Sequence, residues 1–241
     1  MSRQKETIQN PDHAALTTDT SPIAPSPFNE DRALAALKNT ATLPADIERI
    51  VHDSVLMKSR KVRLAVAAHP RTPRRIALRL IRELYTFDLV LFARMPVAPA
   101  DLKRVADDLL VARLTSVSLG ERISLARRSS ATVAAALLLD KESSVWRAAL
   151  ENPHITEAAV VRAVQKTHSS SAFIEAVCRH AKWSLRVEIR VALLRNAHTP
   201  LARALEFARR IPPAQLRDIL HASRLPEKIK EYLRKEMRDR T

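Results

Sequence analysis

Three arginines and a tryptophan are the side chains whose types and spacing most invite a chemical reading in this sequence. Arg63, Arg122, Trp146 and Arg190 share one column of an internal alignment, with Leu89 as its fifth member. Facing outward, the column would form a ladder of guanidinium forks interrupted by an indole ring. A guanidinium matches the planar geometry of phosphate or carboxylate, and an indole offers a stacking face. The plainer reading makes them solvated helix positions, with Trp146 partly packed in a core.

Other chemistry-bearing residues offer less. Cys178 is the single cysteine, so no intramolecular disulfide framework exists. Its setting, FIEAVCRH, has helical spacing and reads as a small buried hydrophobe rather than a reactive or metal-bound thiol. His180 lies two residues after it and His168 ten before, which is no recognisable zinc spacing, and no metal is expected. Glu83 with Asp88, and Asp107 with Asp108, resemble carboxylate pairs only on paper. Adjacent helical residues point apart, and no second group completes an acid–base arrangement. No local sequence supports a Ser-His-Asp or Cys-His-Asn constellation. Ser118-Leu-Gly-Glu121 has capping-box spacing, a structural role.

These side chains must be positioned by helices. The chain has 241 residues, 46% hydrophobic but only 4% aromatic, and one glycine, Gly120. Hairpin turns, bulges and phosphate-cradling loops need glycine where φ is positive or backbone approaches a ligand. Its scarcity argues against β-sandwiches, barrels and Rossmann folds. No GxGxxG or GxxxxGK[ST] loop can be drawn, and no cofactor is expected. Fourteen prolines remain to punctuate helices.

Charge points to partners. The net charge is +15, which favours polyanions. Residues 61–90 and 181–210 each hold seven basic and two acidic side chains, while 151–180 are balanced at three each. Residues 1–30 carry two basic and four acidic groups, net −2. The first 28 residues, rich in Ser, Thr and Pro, read as a disordered acidic arm with no apolar signal-peptide core. The apolar run from Ala131 to Leu139 is too short to span a bilayer. The expected location is the cytoplasm, with no membrane partner.

From Asn29, an N-cap ahead of Glu30 and Asp31, helical spacing continues nearly to the end. Residues 29–241 read as one helical-repeat domain, with C-terminal capping helices over 212–238. Segments 65–78, 91–104, 124–137, 148–161 and 192–205 align without gaps, at intervals of 26, 33, 24 and 44 residues. One column is small or apolar: Ala65, Leu91, Ser124, Ala148 and Ala192. A break column holds Pro70, Pro96, Ser129, Pro153 and Ala197, and three residues later come Pro73, Pro99, Thr132, Thr156 and Pro200. Each segment ends one helix and starts another, with Thr72 and Thr199 expected to cap the helices opened by Pro73 and Pro200. Leu78, Leu137, Val161 and Leu205 share a column expected to face a core, and 169–183 should hold an extra helix. Short amphipathic pairs bury their apolar faces by stacking. The expected fold is all-α, a right-handed α-solenoid of irregular repeats, with a closed bundle as the alternative.

The run Asp140-Lys-Glu-Ser-Ser-Val145-Trp-Arg147-Ala148-Ala-Leu-Glu-Asn152-Pro153-His-Ile-Thr156 resembles a leucine-rich-repeat-variant unit, within the HEAT-like helical repeats. Residues 59–73 echo it with Val62, Arg63, Ala67, His69, Pro70 and Pro73, and 189–200 with Ile189, Arg190, Asn196, Thr199 and Pro200. The resemblance covers roughly 59–210. It implies a fold and little else; a solenoid's extended concave surface suits a non-enzymatic binding scaffold. Some relatives add a cysteine-ligated iron–sulfur module, whose ligands Cys178 alone cannot supply. HEAT-like repeats also resemble certain alkylpurine DNA glycosylases, which set aromatic residues beside a catalytic carboxylate. Trp146 and Trp183 have Leu150 and Val187, not acids, four residues on. The expected function is therefore binding of an acidic protein or a nucleic-acid backbone through a basic face. A DNA glycosylase acting on alkylated bases is the alternative.

Overall fold

The computed structural model describes residues 29–167 and 169–238, so the expected arm over 1–28 and His168 lie outside the described residues. Among the described residues there are fifteen α-helices and no strand, in line with the all-α expectation. α1 (Glu30–Lys38) and α2 (Pro44–His52) lead through a 3-10 turn at Leu56–Lys58 to α3 (Arg60–Ala68) and α4 (Arg74–Glu83). Then come α5 (Thr86–Arg94), α6 (Ala100–Arg113), α7 (Leu119–Arg128), α8 (Ala131–Leu137) and α9 (Ser143–Leu150). The chain closes with α10 (Glu157–Gln165), α11 (Ser171–Arg179), α12 (Val187–Leu194), α13 (Leu201–Ala208), α14 (Pro213–His221) and α15 (Glu227–Arg238). α11 is the extra helix expected within 169–183.

Helices pack on chain neighbours and on next-but-one neighbours. α3 touches α4 but also α1 and α5, and α7 touches α9. One row runs through α4, α6, α8, α10, α12 and α14, each packed on the next.

How the helices begin and end follows from the composition. Asn29 accepts from the Arg32 amide at 2.9 Å, and Ser118 and Glu121 form the expected capping box. Hydrogen bonds from the Ser118 amide and hydroxyl hold the Glu121 carboxyl below its ordinary range. Helix exits are different. No described residue has a positive φ, so no described helix ends in the left-handed cap that glycine favours. At four exits hydroxyls take over that role. Thr42 and Thr72 donate to the Ala36 and Val66 carbonyls, six residues back, at 2.6 Å. Thr199 does the same to Leu193 at 2.6 Å, and Ser169 to Ala163.

This corrects the expected capping roles. Pro73 and Pro200 occupy the N-cap positions of α4 and α13 and make no side-chain cap bond. Proline presets φ there, and Thr72 and Thr199 turn back to close the preceding helices instead.

A second device sits at the same turns. Asn39, Asn152 and Asn196 each accept, through Oδ1, from the amide two residues ahead. His69 and His180 accept likewise through Nδ1. Three of these side chains also reach the previous turn: Asn152 donates to the Ala126 carbonyl and Asn196 to that of Val164, both at 2.7 Å, and His69 Nε2 to that of Asn39 at 3.0 Å. With Nδ1 accepting and Nε2 donating, His69 is fixed as the neutral Nε2–H tautomer.

Leu137 and Ala148 are buried as expected. Leu78, Val161 and Leu205 are only half-buried, whereas Ala77, Val160 and Ala204, one residue earlier, are fully enclosed. The core register of those helices is shifted by one position, about 100° of rotation. Leu91, placed in a small or apolar column, is exposed. Replacing Val160 by Asp is expected to cost several kcal/mol, because its carboxylate would have no partner. Val161→Asp should cost only about 1 kcal/mol. Urea denaturation of the two variants checks the order; equal losses would contradict the register.

Candidate functional site

The expected arginine–tryptophan ladder lies on the inner side of its helices, which corrects the outward-facing reading. Trp146 and Leu89 are buried, and Arg190 is only 9% exposed. Arg190 donates from Nε to the Ser184 carbonyl at 2.7 Å and lies 6.0 Å from the Phe207 ring centroid. Burial, with Arg210 nearby, holds its guanidinium pKa below the ordinary value. Arg122 is paired with Asp140, N to O 3.5 Å, and both side chains are largely enclosed. The Nε atoms of Arg63 and Arg122 are buried and have no hydrogen-bond partner among the described residues. The column is a set of long side chains threaded into helix contacts, not a shared external surface.

The tryptophans are core residues too. Trp146 meets Phe173 edge to face, centroids 5.6 Å apart, and Trp183 donates from its indole to the Leu150 carbonyl at 3.0 Å. Neither presents an open stacking face. Cys178 is fully buried, and desolvation pushes its thiol pKa up to about 12, so it is a poor nucleophile. Among the described residues no group of three or more His, Cys, Asp or Glu is placed to hold a metal ion. No helix among them is long and apolar enough to cross a membrane.

A cleft of about 940 Å³ lies between α2 and α4. In α4, RRIALRLIRE, Arg75, Arg79 and Arg82 follow i, i+4, i+7 spacing and therefore form one stripe. All three line the cleft and are exposed. Some other arginines of this region are ion-paired: Arg49 with Asp46, Arg60 with Asp88 and Arg74 with Asp101. Among the described residues, no carboxylate lies within ion-pair distance of the stripe. Half-buried Ile76 and Leu78 fall on either side of it by helical rotation, and Val51 of α2 adds apolar lining. Glu48 and Glu83 also reach the cleft.

The signal for this stripe was present in the sequence. The surplus of arginine over 61–90 was legible, as was the heptad-like spacing of Arg75, Arg79 and Arg82. The internal alignment drew attention to equivalent positions across repeats, and this stripe belongs to one helix alone. No known protein family, curated protein or solved structure matches the chain.

The carboxylates that are close in sequence sit in different environments. Glu83 is exposed while Asp88 is buried against Arg60, and Asp108 is exposed while Asp107 is buried. Asp107 Oδ1 has no hydrogen-bond partner among the described residues. Burial raises the Asp107 pKa, a hydrogen bond from Ser130 opposing the effect. A carboxyl whose folded pKa is raised binds its proton more tightly in the native state. Its contribution to stability is complete below the unfolded value of about 3.9 and is lost as pH rises through the folded value. Asp107→Asn is therefore expected to raise the melting temperature at neutral pH, with the advantage disappearing in acid. Thermal melts of both proteins across that range check it, and a variant less stable at neutral pH would contradict it.

Proposed function

We propose that this protein is a non-enzymatic scaffold of HEAT-like, leucine-rich-repeat-variant kind, an open right-handed α-solenoid that binds an acidic protein or a nucleic-acid backbone through a basic face. The observation that carries the proposal is the Arg75–Arg79–Arg82 stripe, which lines a cleft without ion-pair partners while Arg60 and Arg74 are ion-paired. Leaving three guanidinium groups on one helix face unpaired disfavours the isolated helix, and an anionic partner turns that repulsion into binding energy. The row of next-but-one helix contacts and the recurrent turn-to-turn bonds support the solenoid arrangement. A DNA glycosylase has less behind it, because both tryptophans are enclosed.

Binding to poly-glutamate or to duplex DNA should be detectable at low salt and weaken steeply as salt rises. For duplex DNA each phosphate contact contributes about −0.9 to the log–log slope. Changing Arg75, Arg79 and Arg82 to Glu should lower both affinity and slope. Changing Lys228, Lys230 and Lys235 to Glu should do less, although it removes the same number of positive charges. Fluorescence anisotropy at several salt concentrations measures both quantities. Failure of both probes to bind at low salt would overturn the proposal, and equal losses from the two variants would remove the stripe from it.

A further inference from the structure

The cleft between α2 and α4 is where a regular packing pattern lapses. From α4 onward, each helix of its row packs on the next, through α6, α8, α10, α12 and α14. α2 and α4 stand in the same chain relation, yet they touch less than any of those pairs. The space left between them is the cleft, and it is bordered by side chains that helices use to meet helices: Val51, Ile76 and Leu78.

We infer that this cleft takes an acidic amphipathic helix from a partner protein, one whose Glu or Asp residues recur at i, i+4 and i+7 beside a strip of apolar residues. The inference rests on the scaffold reading and narrows it. The charge spacing is complementary: Arg75, Arg79 and Arg82 repeat with the period of one helix face, and an α-helix alongside presents carboxylates at the same period. The flanking Ile76 and Leu78 give such a helix apolar surface to cover, which a sugar–phosphate backbone does not use. Glu48 and Glu83 discriminate as well. Duplex DNA carries a charge about every 1.7 Å along its axis and cannot avoid them, whereas a peptide can set neutral or basic residues opposite. None of the cleft's lining side chains is aromatic, other than the imidazole of His52, so the cleft offers no Trp, Tyr or Phe on which an unpaired base would stack.

The test uses the full chain and three probes: a labelled synthetic helical peptide with Glu at i, i+4 and i+7 and leucines beside them, a scrambled peptide of identical composition, and a short DNA duplex. The patterned peptide is expected to bind about tenfold or more tightly than the scrambled one, as three charge pairs plus apolar contact allow. Reversing the charge of the stripe with the triple substitution R75E, R79E and R82E should abolish that preference. A peptide with Lys in place of Glu should then bind the variant, which excludes misfolding as the cause of the loss. Equal binding of patterned and scrambled peptides would overturn the inference. Binding of the duplex alone would overturn it too, while leaving the basic scaffold standing; binding of no probe would overturn both.

Discussion

The carbonyls left open at the end of each helix are the constraint from which much of this structure follows. An α-helix exposes its last four carbonyl groups, and glycine in a left-handed cap is the common remedy. With Gly120 as the sole glycine, sitting near the start of α7, this chain has no such remedy at its helix exits. Hydroxyls six residues on and amide or imidazole side chains in the following turns take its place. Because some of those donors come from the next turn along, closing a helix and joining it to the following turn become one operation. Asn152 illustrates it: Oδ1 shapes its own turn, while Nδ2 holds the Ala126 and Ser129 carbonyls of the turn before.

Asn152, His69 and the hydroxyl residues Thr42, Thr72, Ser169 and Thr199 are buried, and a buried donor or acceptor left unmade costs more than a made one contributes. Asn and His both accept on one atom and donate from another at a suitable distance, so His69 can serve where Asn152 and Asn196 serve elsewhere. Trp183 and Ser223 extend the same logic, donating to the Leu150 and Leu194 carbonyls. Trp183, a candidate stacking platform by residue type, is in effect a helix-closing donor with a large apolar body.

Helix content, the proline breaks and the caps at Asn29 and Ser118 were legible in the sequence because they depend on local chemistry: proline positions, Ser or Asn before a periodic run, and glycine scarcity. The facing of individual columns was less so. Val160 and Val161 are both apolar and adjacent, and only the neighbouring helices decide which is enclosed. Arg190 looked like a surface residue because arginine usually is one. Its burial depends on Ser184 and Phe207, brought to it by the folding of α12 and α13. Thr72 and Thr199 fit the N-cap rule in sequence, yet a hydroxyl between two helices can serve either, and the unmet carbonyls behind drew them back.

The cleft lies where it does because α4 is secured unequally. On the α6 side, Arg74 pairs with Asp101 near the start of α4, and Arg113 donates to the Arg82 and Leu84 carbonyls at its end, at 2.9 and 2.7 Å. On the α2 side the bonds join turns rather than helix flanks: His69 to Asn39, and Arg71 to the Ala41 carbonyl at 2.8 Å. α4 is thus held at both ends towards α6, and towards α2 only through the turn that precedes it. A helix fixed in this way can carry three like charges on its outer face without shifting to relieve them. The stripe is held in place by the contacts that α4 makes towards α6.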